Sequence, residues 1–234
     1  MTQSIAALNP ARHGKLHVVT QRDFSHASED QLVPVVVQEC VDAATEFPLV
    51  FVKNAQTGEF TLVAMMGLQP QQNLYCGQGD IQANYVPQVL RLHPFSLRPS
   101  EQAEQLMLCI DEQSNCVSEE HGQALFDEQG NKTAFLQAQS DACMQFIEHQ
   151  QITRQFAQLL LQHNLLTAQR LTIRLGDEQP RTIDGVYIID QKRLSELDAE
   201  TLATLNRNGA LQVIHAQLLS LKQLNRLSKR ASQR

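Results

Sequence analysis

The 234-residue chain is 42% hydrophobic and 19% charged, with a formal net charge of −6, the profile of a globular fold rather than a disordered one. That acidic balance speaks against a dedicated nucleic-acid binder, which needs a basic surface to neutralise phosphate. With no Trp and 5% aromatic residues, the core must come from Leu, Val, Ile and Ala, and a sugar-stacking platform is disfavoured.

A chain of this length buries roughly 70–75% of its unfolded surface, so it needs neither metal nor disulfide to fold. Met1 to Leu16 lacks the cationic start and long apolar stretch of a secretory signal. No apolar run approaches the roughly 20 residues that span a bilayer, which predicts a protein that is not integral to a membrane. Cys40, Cys76, Cys109, Cys116 and Cys143 are odd in number and follow no framework. They read as free thiols in a reducing cytoplasm.

In chain order, Asn9 to His13 is a turn-like start and Lys15 to Thr20 a short strand. Leu32 to Thr45 has a mostly apolar helical face that must stop before Pro48. Leu49–Lys53 and Phe60–Met66 flank a turn ending in Gly58 and predict an antiparallel hairpin. Leu68 to Ser100, with prolines at 70, 87, 94 and 99, reads as extended structure and loops wrapped on that hairpin. Gln105 to Asp111 is a strand with Leu106, Leu108 and Ile110 on one face. Asp111 to Lys132 is polar loop with a turn at Gly130.

The strongest periodicity runs from Thr133 to about His163. Phe135, Ala142 and Phe156 share one heptad position, and Phe146, Thr153 and Leu160 the other, which predicts a long amphipathic helix ending near Asn164. Gln169–Leu175 and Arg181–Asp190 form a second hairpin around residues 176–180. Asp198 caps a helix to Asn206, and a last helix points Leu211, Ile214, Leu218 and Leu221 at the core. No linker stands out, so the expectation is one α+β domain over residues 1–234: antiparallel hairpins, a long amphipathic helix and a C-terminal helical segment.

Several segments resemble the SapC-like bacterial family. They include Leu8-Asn9-Pro10-Ala11-Arg12-His13, Phe47 to Lys53, Tyr85-Val86-Pro87 with Leu90-Arg91, His93-Pro94-Phe95, Ala124 to Gly130 and Asp184 to Asp190. Two positions depart from the pattern: Ile81 stands where a Trp is common, and His215-Ala216-Gln217 where Tyr-Ala-His is common. The resemblance implies an accessory role. Such genes often sit beside flavin-dependent halogenase-like proteins, cupin or JmjC-like oxygenases and TonB-dependent receptors.

Standard chemistry motifs are absent from the sequence. His13 and His17 have i,i+4 spacing without a third ligand nearby, Cys109 and Cys116 lack a second pair, and neither a phosphate loop nor a serine elbow occurs. No metal and no cofactor are therefore expected. The acidic residues between Asp111 and Glu128 read as solvated. The basic series Lys222, Arg226, Lys229, Arg230 and Arg234 reads as helix-terminal cations in water.

The polar set Arg12, His13, Tyr85, Arg91, His93 and Tyr187 has two readings. The residues either converge on a pocket for a peptide or small acid, or tie loops to the core by hydrogen bonds. Three functions follow: a non-catalytic binding or adaptor protein, an enzyme acting on peptides or amino-acid derivatives, and a surface-layer-associated protein.

Overall fold

The computed structural model describes residues 4–20, 23–100, 105–173 and 181–233. The chain opens with β1 (Ile5–Ala7) and the single turn α1 (Pro10–His13). Asn9 starts that turn by accepting the Ala11 N–H at 2.8 Å, and Pro10 sits where a missing N–H is harmless. β2 (His17–Val18) lies within the predicted strand.

The apolar run after Leu32 differs from expectation. It begins as β3 (Leu32–Pro34), passes through a 3-10 turn over Val37–Glu39 and becomes helical only in α2 (Cys40–Ala44). Four β-branched valines favour extension, and Pro34 is tolerated because β3 is an edge strand paired only with β5. The first hairpin is present as β4 (Leu49–Lys53) and β5 (Phe60–Met65), with Leu49 opposite Ala64 and Lys53 opposite Phe60.

The Pro-rich stretch contains β6 (Cys76–Gly77), β7 (Asp80–Ile81), α3 (Gln88–Arg91) and β8 (Phe95–Pro99). β8 pairs with β9 (Leu106–Asp111), and β9 with β1, so the end of this stretch joins a three-stranded sheet, while Leu74 donates its N–H to the Met66 carbonyl beside β5. Of the residues expected on one face, Leu106 is 42% exposed, whereas Ile110 is buried. β10 (Val117–Ser118) and β11 (Gln123–Ala124) flank β2. Only Gly fits at 122: its φ is +117°, and a Cβ there would strike the Val18 carbonyl.

The long helix is α4 (Ala134–Gln162). Thr133 supports its start by accepting the Leu136 N–H, and Asn164 ends it in the left-handed region at φ 52°. The Leu165 N–H then returns to the Leu160 carbonyl, the bond of a Schellman cap. The buried stripe is Leu136, Cys143, Phe146, Thr153, Phe156 and Leu160. In the first turns it sits one residue later than predicted, because Phe135 and Ala142 are only half-buried.

β12 (Leu166–Ile173) and β13 (Arg181–Ile189) make the second hairpin, whose turn over residues 176–180 lies outside the described residues. α5 (Gln191–Ser195), α6 (Ala199–Arg207), α7 (Ala210–Ser220) and α8 (Leu224–Ala231) complete the chain. Asp198 caps α6 by accepting the Thr201 N–H, as its position predicts.

The chain divides into two compact units, each drawn from three stretches of sequence. The first comprises residues 1–27, 76–81 and 89–148, and holds the sheets β1-β9-β8, β10-β2-β11 and β6-β7. The second comprises residues 28–75, 82–88 and 149–234, and holds the five-stranded sheet β12-β13-β4-β5-β3 with α2 and α5–α8. Among the described residues all strand pairings are antiparallel. The architecture is α+β.

Leu49, Val50 and Phe51 on β4 and Leu62, Ala64 and Met65 on β5 are fully buried, so both faces of these central strands are covered. Each of these side chains other than that of Ala64 contributes about 1.5–3 kcal/mol. α7 closes the ends of these strands with polar groups rather than with the predicted leucines. Gln217 donates to the Leu49 carbonyl at 2.8 Å and accepts the Ile189 N–H, while Ser220 accepts the Leu49 N–H at 2.9 Å. Leu211, Leu218 and Leu221 are consequently only half-buried, since strand-end backbone groups require partners and claim the inner face.

Candidate functional site

In the first unit a cavity of about 230 Å³ opens where the end of β2, the Asp23–Phe24 turn, the end of α3 and the first turns of α4 meet. Its apolar wall includes Val18, Phe24, Leu90, Phe95 and Phe135, and its polar lining Thr20, Asp23, Arg91, His93 and Gln139. Asp23 is fixed by a local turn: its Oδ1 accepts the Ser25 N–H at 2.7 Å, and Asn115 donates to Oδ2 at 3.3 Å. The hydrogen bonds from Ser25, with help from Asn115, hold its carboxyl below the usual range.

His93 stacks on His26, with ring centroids 3.7 Å apart and 12° between planes, and its Nε2 meets Ser114 Oγ at 2.7 Å. Burial, then repulsion by His26, pushes His93 down to about 4, so its ring is neutral at pH 7. Among the described residues, Arg91, Asp23 and this uncharged imidazole all line the cavity.

Elsewhere in this unit, Arg12 and His13 converge on Glu112. Arg12 Nη2 donates to Oε2 at 2.7 Å, and His13 Nε2 meets Oε1 at 2.9 Å. Because His13 Nδ1 accepts the Asn9 N–H, its proton belongs on Nε2, where it is donated to the carboxylate. That bond, with Arg12, holds the Glu112 carboxyl below its ordinary value. Asp111 is buried and accepts the backbone N–H groups of Ser4 and Gln113. These two acids are thus structural anchors rather than the solvated loop charges predicted.

In the second unit, Glu39 is buried and accepts the Val36 N–H (3.0 Å), the Gln88 N–H (2.7 Å) and the Tyr85 hydroxyl (2.7 Å). Glu46 is also buried and binds Arg226 at 2.7 Å and Asn84 at 2.8 Å. Arg230 lies over the Tyr75 ring and donates to the Gln82 carbonyl. Arg226 and Arg230, expected to be solvated, instead dock α8. Arg234 of the same series lies outside the described residues. Tyr187 packs edge-on against Phe60, with centroids 4.8 Å apart.

The outer face of α4 in this unit lies between two grooves. One, of about 450 Å³, is lined by Ile152, Phe156, Leu159 and Val213 with the amides of Gln155 and Gln162. The other, of about 190 Å³, lies between the Thr57–Phe60 turn and Arg154, Ala157 and Leu161. Ile152 and Leu161 are 46% and 44% exposed.

Residues 8–227 match the SapC family model. The chain belongs to the SapC family. No curated protein and no solved structure matches it.

The residues that carry the SapC resemblance fall into separate arrangements. In the first unit, Arg12 and His13 share Glu112, whereas Arg91 and His93 line the cavity. In the second, Tyr85 binds Glu39 and Tyr187 packs on Phe60. Sequence reading missed Asp23, His26, Ser114, Glu39 and Glu46. For Glu39 a signal existed, since it is the one acid in the apolar run from Leu32 to Val41. Asp23 shows nothing beyond a common turn pattern.

All five cysteines are buried and none is in a disulfide, and burial pushes Cys40 up to about 12 and Cys143 to about 11, which removes these two as nucleophiles at neutral pH. Among the described residues no group of three or more His, Cys, Asp or Glu is placed to hold a metal, and no helix is long and apolar enough to cross a membrane. His13 ends α1 and His17 begins β2, so the two do not share a helical face.

Proposed function

We propose that this SapC-family chain is a non-catalytic binding protein, an accessory to enzymes that modify peptides or amino acids. Its partners are flavin-dependent halogenase-like proteins or cupin/JmjC-like oxygenases, the class implied by the gene neighbourhoods of the family. The observation that carries this reading is the apolar face of α4, where Ile152 and Leu161 project beside the two grooves. Exposed aliphatic side chains beside an apolar groove form the kind of apolar patch that marks an interaction surface, and the surrounding Gln155, Gln158 and Gln162 offer hydrogen bonds without charge to desolvate.

Further support comes from the buried acids. Glu39 and Glu46 are engaged by donors from the fold itself, the pattern of anchors rather than of general acids facing a substrate. Five reduced, buried thiols suit a cytoplasmic setting.

The test is titration calorimetry of the full chain against a purified neighbouring halogenase-like or oxygenase protein. The wild type should bind with micromolar or tighter affinity, and Ile152→Glu with Leu161→Glu should weaken binding at least about tenfold. Equal binding by the variant, or no binding by the wild type, overturns the reading.

A further inference from the structure

We infer that a second cavity of the first unit, between β1, β9 and the turn that follows β11, binds a medium-chain monocarboxylate, its hydrocarbon tail on the apolar wall and its carboxylate on Lys132. This goes beyond the accessory reading and does not depend on it, because first-unit residues alone line this cavity while the α4 grooves lie in the second unit.

The cavity has a volume of about 360 Å³. Its wall is made by Ala7 and Leu8 at the end of β1, Met107 and Leu108 of β9, and Phe126. The Leu8 N–H donates to the Leu108 carbonyl at 2.8 Å, which carries the β1–β9 pairing one residue beyond Ala7 and places Leu8 beside Leu108. Across from them, the turn at Gly130 lies against the start of α1: a Cβ at 130 would sit 3.7 Å from that of Pro10. The turn is held in shape by its own hydrogen bonds. Asp127 accepts the Gln129 N–H at 2.9 Å and the Asn131 N–H at 2.8 Å, and Phe126 pairs with Lys132 through the backbone. A wall fixed in this way needs little ordering when a ligand arrives.

Wall and charge select the two ends of one ligand. Aliphatic, thioether and aromatic side chains favour a hydrocarbon chain over a polar one. Lys132 also lines the cavity; it is exposed, and among the described residues its ammonium group has no ion-pair partner. The Asp127 carboxylate, from the same turn, is engaged by the turn itself. A lysine lays its four-carbon stem along apolar surface and keeps its head in water, so Lys132 offers its charge at the mouth. A carboxylate with an apolar tail therefore meets a cation with its head while its tail leaves water. An ammonium-headed amphiphile meets like charge instead. A neutral one has the wall alone, and a short acid has only an exposed ion pair, which is weak.

Size narrows the class. At about 30 Å³ per water in the liquid, the cavity holds on the order of twelve waters, room for about ten non-hydrogen atoms. It falls at the lower end of the roughly 300–1,000 Å³ of ligand pockets. An eight-carbon acid matches that space, whereas a long-chain fatty acid exceeds it.

The experiment is an amide NMR titration of the full chain with octanoate, alongside butyrate, octanamide and octylamine. Octanoate should bind saturably at about 1 mM or tighter, shifting the amides of Leu8, Leu108 and Lys132, with the other three at least about fivefold weaker. Lys132→Gln, an exposed change, should weaken octanoate to the level of octanamide and leave octanamide unaltered. Ala7→Phe, which fills the cavity, should abolish binding of both while amides remote from the site keep their positions. The inference is overturned if octanoate does not bind, or if it shifts amides elsewhere and not these three. It is equally overturned if octanamide or octylamine binds as well as octanoate, or if Lys132→Gln binds octanoate like wild type.

Discussion

Glu39 is a carboxylate sealed inside an apolar stretch, kept there by three donors: two backbone N–H groups and the Tyr85 hydroxyl. Hydrogen bonds to a charged group are each worth about 1.5–3 kcal/mol. Tyr85→Phe should therefore lower stability by about that amount, read from the urea midpoint at unchanged slope. A loss below about 0.5 kcal/mol, typical of surface changes, would contradict this role. The sequence singled out Tyr85 but not Glu39, because a partner across 46 positions is set by the path of the chain and not by local pattern.

His93 gives a pH dependence of definite sign. An unperturbed His titrates near 6.5, but the folded ring stays neutral down to about 4 through burial and the adjacent His26, against the opposing pull of Asp111 and Asp23. As pH drops through this window the unfolded chain takes a proton that the folded chain refuses. The contribution is therefore fully present above about 6.5 and is lost progressively toward 4. After allowance for partial screening the loss is about 2 kcal/mol. His93→Gln, which keeps a partner for Ser114, should lose less stability than wild type between about pH 7 and 5. Identical losses in urea unfolding at the two pH values would refute the assignment.

Among the elements, α4 was legible almost to the residue because its periodicity is long and its stop is an Asn suited to the left-handed cap. β3 was not, since an apolar run without a clear period reads equally as helix or strand. The face of α7 was misjudged for a different reason: Gln217 and Ser220 point inward to serve β4 and β13, a need invisible until those strands are placed.

α8 carries the clearest element-level prediction. Its Arg226 neutralises the buried Glu46 carboxylate, so Arg226→Ala leaves that acid with Asn84 as its side-chain partner and should cost about 2–3 kcal/mol. Adding Glu46→Gln should restore part of that loss by removing the uncompensated charge. A double variant less stable than Arg226→Ala, by thermal or urea unfolding, would show that the ion pair is not what docks the helix.

For the molecule as a whole, composition and patterning were enough for the α+β class and the antiparallel hairpins. Long-range pairing was not available from them: β13 joins β4 through Val186 and Val52, far apart in sequence, and completes the five-stranded sheet. The two units also escape a linear reading, because each is assembled from three separated stretches and no linker marks a boundary. The candidate site was half legible. Arg91 and His93 were named from the sequence, whereas Asp23 and the apolar face of α4 emerge only when distant segments meet. The accessory reading belongs to this scale, since it concerns what the folded chain presents to another protein.

Its most direct test is native mass spectrometry of the chain gently isolated from its own host, with partners identified by their peptides. The account predicts a stoichiometric complex with a halogenase-like or oxygenase protein, lost when Ile152 and Leu161 are both changed to Glu. A lone chain, or a complex that withstands those substitutions, would contradict it.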